Sequence, residues 1–478
     1  MLRNIFASTI TILFIITAVI PVNLVSFTPS IAIDNVINSH IPLSNGNTLY
    51  VGGTGEGNYT KIQDAIDNAS DGDTVFVYNS TYFENLFLEK SICLVGEDRN
   101  NTIIYPRNLS ENSIIYIAAN NCTIDGFSIR NEDFQEDSIG IFINSSGNKI
   151  NGNIITRSKH GIYLKDITNN GHTYVGNNIS NNEISNCTYG IYLYANAEKN
   201  VIYNNDIIDN LEGIDLYYCV NTSVIGNYVY SNTVYGIYIS INSDGNIILR
   251  NVCIENRYGI RFKGVNFNEI YLNRLERNEL GLYSCCGSSN NIIYKNTCID
   301  NEKHASDAFL NKWDNGIIGN YWDDYNGTDN DGDGIGDTPY PIPNGNNEDR
   351  YPLMEPYKNQ PPEAPFIDGP KKGKVGIKYD YIFNSTDPDG DKVFYYILWN
   401  DVNNITTPFA PSGVDLIVSH TWTKEGIFSI KARASDPFGS LSDWSELEVE
   451  IPRNKAFYVS FFLKFLERLL LNNLIKIF

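Results

Sequence analysis

The sequence predicts an all-β protein in which a right-handed parallel β-helix is followed by a β-sandwich. Two sequence repeats that keep the same phase predict the β-helix, and a change of composition after a proline-rich segment predicts the second domain. A Gly-Ile/Leu motif recurs, with glycines at 140, 161, 190, 213, 236, 259 and 281. An Asn-x-apolar motif recurs, with asparagines at 182, 205, 227, 251, 273 and 296, in steps of 22 to 24 residues. A period in this range is typical of a solenoid.

The local pattern within each repeat indicates strands. Apolar and polar residues alternate, as in Ile191-Tyr192-Leu193-Tyr194, and nothing in the repeat has helical spacing. Asn and Gly tolerate left-handed backbone angles, so we expect them at the turns, where stacked asparagines can also hydrogen-bond to each other. Crossovers between parallel strands are almost always right-handed, which predicts the hand of the coil. About ten coils spaced ~4.8 Å apart would form a rod on the order of 50 Å long.

The N-terminal end of the rod is predicted to be covered by a short helix. Thr60 to Gln63 has the form of a capping box, and Ile62, Ala65, Ile66 and Ala69 then follow at helical spacing. Such a helix would cover an edge that otherwise promotes aggregation.

Distinctive motifs stand at both ends of this region. The opening carries Gly72-Asp73-Thr74 and Ser80-Thr81-Tyr82-Phe83-Glu84-Asn85. The closing segment carries Trp313-Asp314-Asn315-Gly316, Gly319-Asn320-Tyr321-Trp322 and Asp349-Arg350-Tyr351-Pro352-Leu353-Met354. These motifs resemble those of the NosD family of secreted right-handed β-helix proteins, with Ser80 where the family commonly has glycine. The resemblance covers residues 48–356 and implies the β-helix fold. It also implies copper as a cofactor, because the bacterial NosD proteins support copper-site assembly in nitrous oxide reductase.

A second domain is predicted after the proline-rich linker at 357–366. Residues 367–452 contain strand patterns such as Val393–Trp399 and Phe428–Arg433, which predict a sandwich. This part resembles Ig-like or PKD-like modules through its Asp-Pro-Asp-Gly-Asp motif at 387–391 and Trp444. Three aspartates of this motif, Asp387, Asp389 and Asp391, are candidate ligands of a calcium ion, separate from the calcium site predicted below in the closing segment.

The two ends of the chain and its charge indicate export to the cell surface. Residues 1–32 have the charged start, apolar run and small-residue site of a signal peptide, with an uncleaved membrane anchor as the alternative. Residues 453–478 are predicted to form an amphipathic tail that contacts a membrane or a docking partner. The net charge of −21 argues against nucleic acid as a partner, and scattered Asn-x-Ser/Thr sites fit a glycoprotein.

Eight cysteines in an exported chain suggest disulfides, but the repeat argues against this for at least two. Cys253 and Cys298 occupy a column otherwise filled by Ile207, Val229 and Leu275, so we expect buried thiols. They also lie two coils apart, beyond the reach of a disulfide. The vicinal pair Cys285-Cys286 could close only a strained ring.

The outward positions of the Gly-Ile strands carry many tyrosines, which we expect to form a flat face that binds sugar rings by stacking. The alternative is that these tyrosines only stabilise the strands. The substrate-binding candidates are Tyr163, Tyr192, Tyr194, Tyr217, Tyr238 and Tyr283.

Catalytic candidates on this face are few. Asp215 and Arg261 supply an acid and a base two coils apart, but no carboxylate pair is visible and polygalacturonase-like motifs are absent. The histidines and methionines do not have the spacing of a copper site.

A calcium site is predicted in the closing segment. Residues 329–337 match positions 1, 3, 5, 6, 7 and 9 of an EF-hand loop, although position 12 is Tyr340 instead of glutamate. The candidate ligands are Asp329, Asp331, Asp333, the carbonyl of Ile335 and Asp337.

These observations together predict a secreted or cell-surface protein with a non-catalytic polysaccharide-binding or structural role. The first alternative is a polysaccharide lyase or glycoside hydrolase. The second, from the resemblance alone, is a periplasmic accessory protein for copper insertion.

Overall fold

The computed structural model describes residues 46–108, 113–165, 173–388, 392–401, 404–436 and 439–452, together with the isolated positions 464, 467 and 468. The predicted signal segment at 1–32 and nearly all of the predicted tail at 453–478 lie outside the described residues. Two of the three aspartates proposed for a second calcium ion, Asp389 and Asp391, lie outside them as well. Among the described residues, no helix is both long and apolar enough to cross a membrane.

The rod is a parallel β-helix whose coils contribute strands to three faces, as the repeats predict. The first face has eleven strands in sequence order. They are Thr48–Val51, Thr74–Val77, Cys93–Gly96, Thr123–Asp125, Lys149–Asn151, Asn178–Ser180, Val201–Tyr203, Ser223–Ile225, Ile247–Leu249, Glu269–Tyr271 and Ile292–Tyr294.

The second and third faces are joined by two long strands, Ser128–Ile143 and Ile154–Lys165, which bend from one face to the other. The second face also contains Ser80–Phe83, Thr102–Tyr105, Glu183–Ser185, Asp206–Ile208, Tyr228–Tyr230, Val252–Ile254, Arg274–Glu276, Thr297–Ile299 and Tyr321–Trp322. The third face also contains Leu86–Leu88, Ser113–Ile117, Tyr174–Val175, Tyr189–Glu198, Glu212–Val220, Tyr235–Ser240, Tyr258–Lys263, Leu280–Cys285 and Lys303–Asp307.

The interior of the rod is a set of stacked apolar columns. Ile191, Ile214, Ile237 and Ile260 pair in register from coil to coil, and each is fully buried. The predicted inward direction of these isoleucines is therefore confirmed.

The cysteines follow the same columns. Cys253 pairs in register with Val229 and Leu275, and Leu275 pairs with Cys298. Both thiols are fully buried, as predicted, and all eight cysteines are free. The sulfurs of Cys285 and Cys286 lie 2.9 Å apart as thiols, so the disulfides that the cysteine count suggests are absent from the structure.

The recurring asparagines form buried hydrogen-bonded ladders. In the ladder that begins at Asn153, the Oδ1 of each asparagine accepts both the backbone N–H and the Nδ2–H of the asparagine one coil before it. Asn205, for example, accepts these two bonds from Asn182, each at 3.0 Å. The asparagines of this ladder are Asn153, Asn182, Asn205, Asn227, Asn251, Asn273, Asn296 and Asn320.

These asparagines do not have the left-handed backbone angles that we expected of them. In this ladder the left-handed residue is the one directly before the asparagine, as at Asn181 and Asn204 with φ of 57° and 52°. The repeated glycines also differ from the prediction, because they do not have positive φ. A Cβ on Gly190 would lie 2.6 Å from the carbonyl oxygen of Gly213, so close approach of successive backbones requires glycine there.

The N-terminal helix spans Ile62–Asn68 and buries Ile62, Ala65 and Ile66 against the first coils. The predicted capping box is wrong, because the N-cap is Lys61 and no side chain of the helix caps it. The carboxylate of Glu84 instead accepts the N–H groups of Ile62 and Gln63 at 2.9 and 3.0 Å. A residue of the first coil thus satisfies the helix N-terminus.

The same coil also holds the other end of this helix. The ammonium of Lys90 donates to the carbonyls of Ile66, Asp67 and Ala69 at 3.3, 2.7 and 2.7 Å. A cation is favourable at a helix C-terminus, so the first coil supplies both charges that the helix ends prefer.

The closing segment covers the C-terminal end of the asparagine ladder. The buried carboxylate of Asp349 accepts the backbone and side-chain N–H groups of Asn320 at 2.7 and 3.3 Å, and the indole N–H of Trp322 at 2.9 Å. Asp349 lies in a short antiparallel pair, Tyr340–Pro341 with Glu348–Asp349. A residue that can only accept hydrogen bonds therefore ends a ladder of donors.

The C-terminal part is an antiparallel sandwich, as its strand patterns predict. One sheet contains Phe366–Asp368, Lys378–Asn384 and Leu416–Thr421, and the other contains Asn404–Thr406, Phe394–Leu398, Gly426–Ser435 and Ser445–Ile451. Tyr381 and Phe383 from the first sheet pack with Tyr395 and Trp399 in one core.

We expect Ile237→Asp to abolish folding of the rod, because the unpaired charge would be buried between apolar neighbours. Tyr238→Ala on the adjacent outward position should leave the rod folded. Circular dichroism and thermal melts of both variants would test this, and equal damage from the two substitutions would contradict the inward and outward assignment.

We expect Asp349→Ala to destabilise the rod by about 1–3 kcal/mol for each buried donor left unpaired. Asp349→Asn keeps an oxygen facing Asn320 and Trp322 and should cost less.

Burial raises the pKa of Asp349 from 3.8 to about 6, so the folded state binds this proton more tightly than the unfolded state. The contribution of Asp349 to stability should therefore fall as pH rises between these values, and the Asn variant should lose that dependence. Denaturant melts across this pH range would show it, and identical pH profiles for wild type and Asn variant would refute the assignment.

Candidate functional site

The outward side of the third face carries one continuous row of aromatic and charged side chains, which we call the tyrosine face. It contains all six tyrosines and both catalytic candidates predicted from the sequence. In its main part it consists of Phe142, His160, Tyr163, Tyr189, Tyr192, Glu212, Asp215, Tyr235, Tyr238, Tyr258, Arg261 and Tyr283.

Five of these twelve residues form a column that the alternation along the sequence did not predict. The residue directly before each repeated glycine also points outward, and this column contains His160, Tyr189, Glu212, Tyr235 and Tyr258. The glycine and the isoleucine after it are both buried, so two consecutive residues face inward at the corner between the second and third faces. This corner shifts the alternation of side chains by one position. The repeat itself contains the signal, since the column keeps the same phase as the glycines.

The tyrosine rings stack on each other along the rod. The ring centroids of Tyr163 and Tyr192 lie 5.4 Å apart at 14°, and those of Tyr258 and Tyr283 lie 5.4 Å apart at 18°. Rings this close and this nearly parallel overlap in an offset stack, so neighbouring rings cover much of each other's faces. The predicted flat face for sugar stacking is therefore not what forms. The row offers solvent mainly ring edges and hydroxyl groups.

A further outward column, two residues after the one that contains Tyr192 and Asp215, is shorter. Tyr194 and Tyr217 stack at 5.0 Å and 8°, and the ammonium of Lys165 lies 5.3 Å from the Tyr194 ring. Ser240 continues the column and is buried. These two tyrosines lie beside the main row and widen it.

At the centre of the face, one coil carries two carboxyl groups in place of the two tyrosines. Asp215 is 5 % exposed and lies in the same coil as Glu212. Burial raises the pKa of Asp215 well above its usual range, and the neighbouring Glu212 carboxyl raises it further. Asp215 is therefore the carboxyl group of the pair that holds a proton more tightly than usual. The sequence reasoning did not find this pair, because it did not include the Glu212 column.

The environment of this pair is aromatic and half-buried. Burial also raises the pKa of Glu212, while the hydrogen bond from Asp215 and the charge of Arg261 oppose that rise. Oδ1 of Asp215 is buried and has no hydrogen-bond partner. A carboxyl group held this way costs free energy of folding, and such groups cluster at functional sites.

The tyrosines around the pair remain protonated phenols. Burial raises the pKa of Tyr163 and that of Tyr238 to about 12. The pKa of Tyr192 is raised further, by burial and by the neighbouring Asp215 carboxyl group. Their hydroxyl groups can therefore donate and accept hydrogen bonds across the physiological pH range.

The predicted calcium loop lies apart from this face. Carboxylate oxygens of Asp329, Asp331 and Asp333 lie within 4.8 Å of one another, so three of the predicted ligands come together. Asp337 instead accepts the backbone N–H of Asn330 at 2.9 Å. Tyr340, at the position of the missing glutamate, stacks on Trp322 at 4.6 Å and packs against the core.

The family of the chain follows from its sequence profile. The family described as "Periplasmic copper-binding protein (NosD)" matches residues 66–212 and, with a second copy, residues 171–327, which is more than half of the chain. The chain belongs to this family, as the terminal motifs indicated. No curated protein matches it.

Solved structures with similarity include one for the C-terminal part and two for the rod. The PKD domain of an M14-like peptidase from Thermoplasmatales archaeon SCGC AB-540-F20 is 41 % identical, with 20 % of this chain and all of that domain covered and a TM-score of 0.20. The A-module of the mannuronan C-5 epimerase AlgE6 of Azotobacter vinelandii is 17 % identical, with coverage of 52 % and 74 % and a TM-score of 0.36. An alginate lyase from Paenibacillus sp. str. FPU-7 is 13 % identical, with coverage of 57 % and 97 % and a TM-score of 0.30.

The family description implies copper, and the described residues do not fit a copper centre. His304 Nε2 lies 2.7 Å from Asp323 and 3.5 Å from Asp324, which makes one histidine-containing cluster. The Nδ1 atom of His304 faces the amide nitrogen of Asn301 at 3.3 Å and accepts from it, so Nε2 carries the proton and donates to Asp323. The thiols of Cys285 and Cys286 lie elsewhere, and no described group of three donors combines sulfur with imidazole.

The remaining histidines do not change this conclusion. His160 lies in the stack between Tyr163 and Tyr189, with centroid distances of 4.3 and 5.0 Å, and burial lowers its pKa to about 4. His420 lies against Asp401 in the sandwich. His40 and His172 lie outside the described residues.

We predict that a calcium chelator lowers the melting temperature of the protein, because a ligand bound only by the folded state stabilises it by mass action. Asp331→Ala should remove most of that sensitivity, whereas Asp206→Ala, an exposed aspartate on the rod, should not. A melting temperature indifferent to the chelator would exclude a stabilising calcium ion in this loop.

Proposed function

We propose that this chain is an exported periplasmic or cell-surface protein whose tyrosine face binds a polysaccharide without cleaving it. The observation that supports this most directly is the row of phenol hydroxyls, repeated once per coil and interrupted by a carboxyl pair and an arginine. An extended polymer of hydroxylated sugars can match such a row at several successive coils. The family description, which places its members in the periplasm, agrees with export.

The binding chemistry differs from the stacking that the sequence suggests. Because the ring faces largely cover one another, recognition relies on hydrogen bonds from hydroxyl groups at the ring edges, with apolar contacts from exposed ring edges. Each such bond contributes a net 0.5–1.5 kcal/mol at most, so useful affinity requires contacts at several coils. A rigid row has the advantage that little side-chain freedom is lost on binding.

A catalytic function is the second candidate, and the Glu212–Asp215 pair favours it. Glycosidases use two carboxyl groups that flank the scissile bond. Asp215 is only 5 % exposed, so this pair does not present two accessible carboxyl groups to a bound sugar. Glu212, a carboxylate with a raised pKa on the same face as the Arg261 guanidinium, could instead abstract a proton from a bound sugar acid, as lyases do.

We expect retention of the protein on at least one polysaccharide of an immobilised panel. Changing Tyr192 and Tyr238 together to Phe should lower retention nearly as much as changing both to Ala, because the hydroxyl groups make the contacts. The matched control changes Tyr228 and Tyr230, which stack at 6.0 Å on the second face, to Phe. This double variant should be retained as strongly as wild type. Affinity electrophoresis would measure this. Full retention by the Phe variant would show that ring faces bind the sugar, and no retention of wild type on any polymer would refute the proposal.

The same samples test the other two functions. Release of oligosaccharides on prolonged incubation, abolished in Glu212→Gln, would establish an enzyme. Stoichiometric copper uptake without retention on polysaccharide would support the accessory role that the family description implies.

A further inference from the structure

Arg261 is a cation built into the tyrosine face, two coils beyond the carboxyl pair. Its guanidinium carbon lies 5.1–5.4 Å from the ring centroids of four tyrosines, Tyr235, Tyr238, Tyr258 and Tyr283. These rings hold the side chain in place through cation–π contact. In the part of the chain that the structure describes, Arg261 forms no ion pair with a carboxylate, unlike Arg257, Arg274 and Arg277 on neighbouring coils.

The hydrogen bonds of Arg261 leave much of its donor capacity unused. Nη1 donates to the hydroxyl of Tyr235, and Nη2 donates to the sulfur of Cys285 at 3.6 Å. Nε is buried and has no partner. A guanidinium carries five N–H donors in a planar fork, so donors remain for an incoming oxygen anion.

Neither acid of the face forms an ion pair with Arg261 in the described part of the chain, although the charge of Arg261 opposes the rise that burial causes in the pKa of Glu212. Glu212 and Asp215 lie two coils away, roughly 10 Å along the rod, with the coil of Tyr235 and Tyr238 between them and Arg261. Burial raises the pKa of both carboxyl groups, which disfavours a full negative charge on each of them. The rest of the net charge of −21 is spread over the chain and is screened beyond about 8 Å at physiological ionic strength.

We infer that Arg261 is the subsite for an anionic group of the bound polysaccharide, either the carboxylate of a uronic acid or a sulfate ester. This inference rests on the proposed function and names its ligand class as acidic polysaccharides. Carboxylate and sulfate oxygens match the guanidinium fork, which a neutral hydroxyl does not. Glu212 on the other side of Tyr235 and Tyr238 accepts hydrogen bonds from sugar hydroxyls. The two groups fix the direction in which the polymer lies.

The test compares retention on three immobilised polymers: a polyuronate, a sulfated glycan and a neutral glycan. Wild type should be retained on at least one acidic polymer and more weakly on the neutral one. Arg261→Gln should weaken retention on the acidic polymer about tenfold or more, the loss of one charge-assisted contact, and leave the neutral polymer unchanged. Arg261→Lys should recover part of the retention, because it keeps the charge but not the fork. Arg274→Gln, which removes an ion-paired arginine on the second face, is the matched control and should behave as wild type.

Salt dependence and melting temperature separate binding from a structural role. Retention of wild type on the acidic polymer should fall as salt is raised, and that of Arg261→Gln should be less sensitive. The melting temperatures of the arginine variants show whether a variant loses binding only because it unfolds. If Arg261→Gln unfolds, the retention of Arg261→Lys on the acidic polymer is compared with that of wild type instead. Preference for polyuronate or for sulfated glycan identifies the anion.

Two results would overturn the inference. Equal retention of wild type and folded Arg261→Gln on acidic polymers would remove the anionic subsite and leave polysaccharide binding intact. Absence of retention on all three polymers would refute the proposed function and, with it, this inference.

Discussion

The asparagine ladders are the interaction on which the rest of the rod depends. Each ladder asparagine is buried, and a buried amide that lacks partners is costly. Here the Oδ1 atom accepts from the coil before it, while the Nδ2 group donates to the next asparagine and to a backbone carbonyl, as Asn182 does to Ile150 at 2.8 Å. The side chains thus extend the backbone hydrogen bonding of the sheet through the turns, where strand pairing stops. Every coil is thereby held in the register of its neighbours.

The strict register explains both the glycines and the tyrosine face. With successive corners superimposed, the backbone at each Gly-Ile corner approaches the next coil so closely that a Cβ would overlap its carbonyl oxygen. The same superposition places outward side chains directly above one another at strand spacing. Aromatic rings at that spacing stack and present their hydroxyl-bearing edges to solvent. The register that the buried asparagines impose inside the rod therefore also produces the row of hydroxyl groups outside it.

The centre of the tyrosine face breaks the pattern of the repeat. Two columns that elsewhere carry tyrosines carry Glu212 and Asp215 in the same coil, and Arg261 replaces a tyrosine two coils later. A buried carboxyl group with an unpartnered oxygen does not stabilise the rod. The coils of a solenoid are similar to one another, so a tyrosine at this position, as in neighbouring coils, would cost less free energy of folding. Local departures of this kind mark functional sites. Among the described residues, no cluster of donors suited to copper comparable to this group is found.

The ends of the rod show how covering an edge depends on distant residues. Glu84 and Lys90 bind the two ends of the N-terminal helix from the first coil, and Asp349 ends the ladder at the other side. Each supplies a charged group that hydrogen-bonds to donors or acceptors at the end of a helix or ladder, which would otherwise lack partners. None of these three contacts is local in sequence, so a motif read along the chain does not contain them.

The sequence by itself determined the solenoid, its strands, the inward isoleucines and the buried cysteine columns, because a fixed period and a two-residue alternation are local properties of the chain. It also determined that Asp329, Asp331 and Asp333 share a loop, since they are close neighbours in the chain. Only the tertiary structure decided that Glu212 joins Asp215, because the corner at the glycine shifts the alternation by one residue. It likewise decided the direction of the tyrosine rings and the environment of Arg261. These depend on the packing of side chains between coils, which the order of residues along one coil does not specify.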